Sequence, residues 1–231
     1  MELATLHPYK TPIKEMVSRY EQIYVAAIND IFQSRHLHNQ WLGPEIKCLT
    51  KDLRGEVIAG FAFTVQWIFD PLPDERPRPA AKMVESYPAD SVIVVDTGAD
   101  QVSGFWGELA TTVCVRNGVR GAVINGGAKD TGIVKRMGFP LFARFTSPVD
   151  GFYRARLRDW QIPIWFNGVL VKPGDFIVGD NDGVLAIPQE IAEEILLEAE
   201  RRVSSESATR QLLRQGISAP EASAMTDRQD L

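Results

Sequence analysis

Two glycine-containing loops carry the groups in this sequence that could perform chemistry. The first ends in Gly107-Glu108-Leu109-Ala110, and the second runs from Asn125 to Asp130, where Lys129 precedes Asp130. Each loop follows a predicted strand and leads into a predicted helix. At a helix N-terminus, free backbone N–H groups and the helix dipole favour a carboxylate or a phosphate. Glycine lets the backbone approach such a ligand without interference from a Cβ atom, so both loops are candidate anion sites.

Lys129 and Asp130 place a cation beside a hard oxygen ligand. Mg²⁺ is commonly held by only one or two carboxylates, with waters and substrate oxygens completing its octahedron. One aspartate together with a chelating 2-oxo acid fits that habit, so Asp130 is a candidate metal ligand. The alternative is that Asp130 only caps the helix predicted to begin at Thr131. Glu108 is likewise either a candidate catalytic residue or an acid that only stabilises the first turn of its helix.

Other kinds of active site find little support in the sequence. Neither loop matches the phosphate-binding patterns G-x-G-x-x-G or GxxxxGK[ST], so a nucleotide site is not expected. The histidines His7, His36 and His38 lack further ligands at a finger-like spacing, and we interpret them as surface or loop residues. Lys129 is a poor candidate for a Schiff-base lysine because Asp130 stabilises its charged form.

The composition indicates a globular protein, and we do not expect a nucleic-acid partner. The 231 residues, 45% of them hydrophobic, are enough for one large domain. The formal net charge of −5 gives no general reason to expect a nucleic-acid partner. Arg154, Arg156 and Arg158 form the longest basic cluster, and the apolar residues between them favour a solvated loop or strand.

We expect a cytoplasmic protein without a membrane span. Residues 1–10 contain no apolar stretch typical of a signal peptide. Nowhere do about eighteen apolar residues follow one another, as a transmembrane helix requires. Cys48 and Cys114 are far apart and lie among apolar residues, which favours small core side chains in a reducing compartment.

The hydrophobic pattern predicts an α/β protein. Apolar steps of three and four predict a helix at 12–30, and a continuous apolar run predicts a buried strand at 57–65. A strand-loop-helix order then recurs, with strands at 91–95, 121–124 and 141–145, loops at 96–105 and 125–130, and helices at 106–117 and 131–137. Short strands are predicted at 162–165, 169–171, 176–178 and 184–187, followed by a helix at 188–214 and a frayed polar tail after residue 216.

Four prolines between residues 71 and 79 predict a loop, which is the best candidate for a lid or an insertion. Trp67 lies just before this loop, and three roles are open for it. It could close over a ligand with the loop or pack at a subunit interface, or it could simply be buried in the core.

As a set, several motifs resemble the RraA-like family, which contains the class II 4-hydroxy-4-methyl-2-oxoglutarate aldolases and the regulators of ribonuclease activity A. The motifs are Trp106-Gly107-Glu108-Leu109-Ala110, the stretch from Asn117 to Asp130, Val169 to Asp175, Gly179 to Val184, and Gly216 to Ala222. The resemblance covers roughly residues 57–222. It implies one domain over residues 1–231, with a swivelling β/β/α core at about 57–188 that resembles the phosphohistidine domain, flanked by the N-terminal helix at 12–30 and the C-terminal helix at 188–214.

The resemblance also implies an activity and roles for individual residues. Asp130 would help to hold Mg²⁺ or Mn²⁺, and the backbone of Gly107 to Ala110, together with Lys129, would bind the substrate. Glu108 would lie near a water that takes part in proton transfer. The activity implied is that of a divalent-metal-dependent lyase that cleaves a small 2-oxo acid through a metal-stabilised enolate, by aldol cleavage that releases pyruvate or by decarboxylation of an oxaloacetate-type acid. Homotrimers or homohexamers with sites between subunits are implied as well.

Two positions depart from the family pattern. The aldolases carry Arg-Asp where this chain has Lys129-Asp130, so the positive charge is kept but the planar fork of arginine is lost. An aspartate that is usual earlier in the loop is absent, and Asn125-Gly126-Gly127 stands in its region. The alternative function is that of a non-catalytic, protein-binding regulator, and a third, weaker option is an isomerase or hydratase that uses the same enolate.

Overall fold

A mixed β-sheet forms the centre of the computed structural model, which describes residues 9–53, 55–70, 80–98 and 100–226. The strands are β1 (Lys47–Cys48), β2 (Ile58–Phe69), β3 (Ser91–Asp96), β4 (Gly121–Ala128), β5 (Leu141–Thr146), β6 (Ala155–Trp160), β7 (Ile164–Phe166), β8 (Val169–Val171), β9 (Phe176–Gly179) and β10 (Val184–Ile187). Among these residues the sheet has the order β1-β5-β4-β3-β2-β9-β10, with β6 paired to the far end of β2, and β7 and β8 form a separate hairpin.

The four strands β2 to β5 are parallel neighbours, and they carry the predicted α/β character. All six residues of β3 are buried. Parallel strands are covered on both faces, which is why they appear in the sequence as continuous apolar runs rather than as an alternation. The strand predicted at 57–65 is confirmed, and it continues to Phe69 because its last residues pair with β6. The basic cluster of residues 154–158 falls largely on β6, a strand with exposed positions.

Helices flank the sheet at both ends of the chain and between its strands. They are α1 (Ile13–Tyr20), α2 (Val25–Ser34), α3 (Ala80–Glu85), α4 (Glu108–Asn117), α5 (Thr131–Arg136), α6 (Ala192–Arg214) and α7 (Ala219–Met225), with a 3₁₀-helix at Gly151–Tyr153. The predicted end of α4 is confirmed, because Gly118 adopts the left-handed conformation (φ 78°) that terminates helices. None of the helices in the described ranges has both the length and the apolar character needed to cross a bilayer.

The prediction of one helix over residues 12–30 is wrong, since the chain leaves the helix after Tyr20 and starts a second one at Val25. The backbone N–H of Val25 donates to the carboxylate of Asp180, at 2.9 Å, in the turn between β9 and β10. Apolar residues continue in steps of three and four across the break, so the periodicity does not reveal it. A distant side chain stabilises the new helix start instead.

The polar tail predicted after residue 216 is also wrong, because α7 forms there. Ser218 and Glu221 make a capping box, and a proline occupies the first turn of the helix. The C-terminal helix predicted at 188–214 begins four residues later, at Ala192. The predicted loop at 71–79 lies outside the described residues.

The core consists of three groups of buried side chains. α1, α2 and α6 pack against β9 and β10, where the ring of Tyr20 stacks on that of Phe176 at 4.9 Å. α4 and α5 cover the parallel strands on one face, and the β7–β8 hairpin covers them on the other. This arrangement leaves the carboxyl ends of β3, β4 and β5 as the edge at which ligands are expected in an open α/β sheet.

Candidate functional site

The two glycine-containing segments lie side by side at the carboxyl end of β4. The backbone N–H of Lys129 donates to the carbonyl of Trp106 at 2.7 Å, and the N–H of Phe105 donates to the carbonyl of Gly127 at 2.9 Å. The residues from Asn125 to Ala128, predicted as a loop, are therefore the end of a strand. Glycines weaken a strand pattern in the sequence, but here the space requires them: a Cβ atom on Gly127 would lie 2.5 Å from the carbonyl oxygen of Ser103.

Asp130 occupies the position before α5 in a left-handed conformation (φ 55°), but its side chain makes no capping hydrogen bond to that helix. Its Oδ2 instead accepts a hydrogen bond of 3.3 Å from the backbone N–H of Glu108, at the start of α4. The interpretation of Asp130 as a simple cap of the helix at Thr131 is thus wrong. The exposed carboxylate of Asp130 therefore lies between the first residues of α4 and of α5.

Gly107 allows this approach. A Cβ atom at this position would lie 2.5 Å from Oδ2 of Asp130 and 3.1 Å from Cγ of Lys129. The backbone of Gly107 is extended (φ −159°), a conformation open to any residue. A side chain at this position would therefore displace the Asp130 carboxylate, whereas the backbone conformation itself does not call for glycine.

The first turn of α4 presents unused hydrogen-bond donors. The N–H of Glu108 is taken by Asp130, and that of Thr111 donates to the carbonyl of Gly107. No acceptor among the described residues pairs with the N–H groups of Leu109 and Ala110. Two free donors at the positive end of the helix dipole form a site for an anionic group such as a carboxylate.

The ammonium of Lys129 forms an ion pair with Asp150, with 2.7 Å between Nζ and Oδ2. The hydrogen bond to Asp150 raises the pKa of Lys129 against the opposing effect of partial burial, and Asp130 adds to the rise. Lys129 is therefore a protonated cation, in line with the argument against a Schiff-base lysine. Asp150 was not among the sequence candidates, because nothing in its spacing from Lys129 pointed to it.

Asp130 is the residue of this site that fits a divalent cation. The described residues contain no group of three or more His, Cys, Asp or Glu side chains that could form a complete ligand set. Asp130 is a single exposed carboxylate with solvent on its open side. This suits a hard cation that takes most of its ligands from water and substrate. The exposed rings of His36 and His38 lie 6.0 Å apart on the α2–β1 connection and contribute to no such group.

Asn125 belongs to a different cluster. Its side chain donates to Asp96 at 3.0 Å and accepts from Arg144 at 2.6 Å. These residues line a cavity of about 410 Å³ beside the β7–β8 hairpin. The continuous loop site expected from Asn125 to Asp130 is therefore divided, since only its last residues meet Gly107.

Trp67 is buried, with 7% of its surface exposed. Its ring packs against Phe105 at 5.8 Å and against Phe152 at 5.6 Å. Trp67 thus packs against the segment that precedes Gly107 and against the 3₁₀-helix Gly151–Tyr153. Of the roles open to it in the sequence, core packing is the one that the structure bears out.

The sequence of the chain is similar to those of known proteins. The family model described as RraA-like, Aldolase/RraA, matches residues 25–186. A protein of Halalkalibacterium halodurans provisionally named 4-hydroxy-4-methyl-2-oxoglutarate aldolase is 31% identical over 137 residues, which are 59% of this chain and 64% of that protein. The chain spans less than two thirds of the length of several curated relatives that it matches.

Solved structures share the fold. One, from a set described as novel cellulases from microbes of the gut ecosystem, has a TM-score of 0.81 and 33% identity, covering 87% of this chain and 90% of its own. RraAS2 of Streptomyces coelicolor, described as an unusual member of the RNase ES inhibitor RraA family, has a TM-score of 0.75 and 23% identity over 88% of this chain and 99% of its own. The predicted α/β fold with flanking helices is thereby confirmed.

Proposed function

Because the chain belongs to the RraA-like family, we propose that it is a carbon–carbon lyase that acts on a small 2-oxo acid with a divalent cation, Mg²⁺ or Mn²⁺. The observation that carries the proposal is the meeting of Asp130 with the first turn of α4, beside the cationic Lys129. The aldolase name of the H. halodurans relative supports the same class of reaction.

Substrate binding is assigned to the start of α4. The N–H groups of Leu109 and Ala110 bind the carboxylate of the 2-oxo acid, because they have no acceptor in the part of the chain that the structure describes and lie at the positive end of the helix dipole. Gly107 keeps this turn open and close to Asp130. The substrate carboxylate therefore lies next to the residue that holds the cation.

Asp130 is assigned as the protein ligand of the cation. Its carboxylate is exposed, and the hydrogen bond from the N–H of Glu108 orients it. When bound, the cation supplies a Lewis acid that polarises the 2-oxo group. Lys129 adds a fixed positive charge that stabilises the negative charge developing on the 2-oxo oxygen when the carbon–carbon bond breaks.

Glu108 is assigned to proton transfer. In aldol cleavage the hydroxyl group of the substrate loses its proton and becomes a carbonyl as the carbon–carbon bond breaks, and the carbon that becomes the methyl group of pyruvate gains a proton. In decarboxylation CO₂ leaves, and the same carbon gains a proton. Glu108 lies in the same helix turn as the N–H groups assigned to the substrate carboxylate, and we assign its side chain to transfer this proton through a water. The backbone N–H of Glu108 thus orients Asp130, whereas its side chain takes part in proton transfer.

We also propose a cytoplasmic homotrimer or homohexamer with sites between subunits. Large apolar side chains are exposed around the site, with 78% of Leu109 and 73% of Tyr153 accessible in the single chain. Exposed apolar groups of this size around a polar site are typical of an interaction surface. A second subunit would cover them and supply the part of the pocket that recognises the substrate tail.

The test is pyruvate release from 4-hydroxy-4-methyl-2-oxoglutarate and from oxaloacetate, with Mg²⁺, with Mn²⁺ and with EDTA. We expect turnover that requires the cation and that is lost in Asp130→Ala. Asp182→Ala is the matched control, since it removes an exposed aspartate on a distant turn. Turnover that is unaffected by EDTA or by Asp130→Ala would contradict the proposal. No turnover on a range of 2-oxo acids would favour the alternative of a non-catalytic, protein-binding regulator.

A further inference from the structure

Asp150 uses both of its carboxylate oxygens. Oδ2 accepts the hydrogen bond from Nζ of Lys129 at 2.7 Å. Oδ1 accepts a hydrogen bond of 2.8 Å from the backbone N–H of Phe152, which caps the 3₁₀-helix Gly151–Tyr153. Because each oxygen has a partner, the carboxylate cannot rotate without losing one of them. The position of the Lys129 ammonium is thus coupled to the local backbone.

That backbone is in turn attached to the loop that carries Gly107. The N–H of Gly104 donates to the carbonyl of Val149 at 2.7 Å, and the N–H of Gly151 donates back to the carbonyl of Gly104 at 3.3 Å. The N–H of Val149 also donates to the hydroxyl of Ser147 at 3.1 Å. The residues on either side of Asp150 are therefore hydrogen-bonded to Gly104, which fixes the position of Asp150 relative to the loop that carries Gly107.

A lysine at position 129 needs such a partner. Its ammonium is a point charge on a flexible stem of four carbons, whereas an arginine brings a planar group whose geometry is fixed. A charge that stabilises a transition state must already be in place when the charge develops, because moving it then would cost free energy. A flexible lysine without a second anchor does not meet this condition.

We propose that Asp150 is the positioning residue that holds the Lys129 ammonium at the reacting 2-oxo group. The inference rests on the proposed function, because it assigns Asp150 a part in the same reaction. Asp150 touches no substrate in this scheme and acts only through Lys129. The side chains of the pair are 32% and 35% exposed, and ion pairs this exposed contribute little to folding stability.

The principal variant is Asp150→Asn. Asparagine keeps an oxygen for the N–H of Phe152, since it caps helices as well as aspartate does, but it removes the charge that attracts Lys129. We expect kcat to fall about ten- to hundredfold with KM changed less than about threefold, because misplacing a catalytic group by about 1 Å can cost that much. Asp182→Asn is the matched control and should leave both constants unchanged.

The same substitution in a protein that carries Lys129→Arg separates a positioning role from a general structural effect. In Lys129→Arg the planar guanidinium keeps its own geometry, so adding Asp150→Asn should reduce kcat by no more than about threefold. A loss of the same size in both backgrounds would overturn the positioning role. Unchanged kcat after Asp150→Asn in the lysine background would overturn it as well.

Binding of oxalate, a planar dianion that resembles the enolate of pyruvate, gives a measurement that does not depend on turnover. Calorimetry with Mg²⁺ and oxalate should show the affinity reduced about tenfold by Asp150→Asn and by Lys129→Met, with no further loss in the double variant. If turnover is absent but this pattern holds, the proposed reaction fails and the positioning role stands. Equal oxalate affinity in all variants, or no binding to the unsubstituted protein, would overturn the positioning role.

Discussion

Gly107 and Asp130 approach each other so closely that a Cβ atom on Gly107 would lie 2.5 Å from Oδ2 of Asp130. The two residues come from different loops, 23 positions apart in the sequence. Contacts at this distance force one of the partners to move. The geometry of the candidate metal ligand therefore depends on the absence of a side chain at Gly107.

Gly107→Ala should displace the Asp130 carboxylate and weaken cation binding without unfolding the protein. We expect the affinity for Mn²⁺ to fall at least about tenfold, which corresponds to about 1.4 kcal/mol. Calorimetric titration of both proteins with Mn²⁺ measures the difference. Gly132→Ala is the matched control, because a Cβ atom there meets nothing within 4 Å. An unchanged affinity for Mn²⁺ in Gly107→Ala would contradict the assignment of Asp130 as the ligand of the cation.

Asp175 should make the stability of the protein fall as the pH rises through the weakly acidic range. Asp175 is only 2% exposed, and burial raises the pKa of its carboxyl group to about 6 although hydrogen bonds from the backbone N–H groups of Lys172 and Gln189 lower it. Between pH 4 and pH 6 the folded state then binds more protons than the unfolded state, so the free energy of unfolding decreases with pH. The loss is at most about 3 kcal/mol, from a shift of about two pKa units.

Urea unfolding at pH 4.5, 5.5, 6.5 and 7.5 measures this effect. The unsubstituted protein should lose stability relative to Asp175→Asn as the pH rises through this range, because asparagine does not ionise. The difference between the two proteins is the relevant quantity, since other groups contribute to both curves equally. A difference that stays constant with pH would contradict the assignment to Asp175.

Asp180 should be required for the break between α1 and α2. Its Oδ2 accepts from the N–H of Val25, and its Oδ1 accepts from the N–H of Asp182 at 2.8 Å. Asp180→Ala leaves the helix start without its cap and should lower the free energy of unfolding by about 2 kcal/mol. Asp182→Ala, two residues away on the exposed side of the same turn, should change it by less than about 0.5 kcal/mol. Chemical denaturation compares the three proteins, and equal effects of the two variants would contradict the assignment.

Cys114 should resist alkylation in the folded protein. It is completely buried, and burial raises the pKa of its thiol, so the reactive thiolate is suppressed. Cys48 is only partly buried and should react first with iodoacetamide. Mass spectrometry of peptides from native and urea-unfolded samples gives the order of labelling. Rapid labelling of Cys114 under native conditions would mean that α4 opens readily.

Local patterns in the sequence determined much of the sheet and of the site. The apolar run at 91–95 is a buried strand because a strand covered on both faces leaves no room for polar residues. Gly118 ends α4 because it can adopt a left-handed backbone. Glu108, Lys129 and Asp130 could be singled out because each follows a strand of a parallel sheet, and the carboxyl ends of such strands lie at one edge.

The tertiary structure alone decided which of these residues meet. Asn125 faces Asp96 and Arg144, whereas Asp130, five positions later, faces the start of α4. The direction of each side chain depends on where β4 continues and where its register shifts, and paired segments far away in the sequence set both. Periodicity reports only the local repeat of a chain, so it carries no information on such pairings.

The same reason explains why the sequence did not reveal the roles of Asp150 and Asp180. Both act on residues far from them in the sequence: Asp150 pairs with Lys129 across the end of the sheet, and Asp180 caps α2 from the β9–β10 turn. Local propensity therefore determined the elements and the chemistry that they offer. Long-range packing, which places one carboxylate beside one cation or one helix start, decided how that chemistry is arranged.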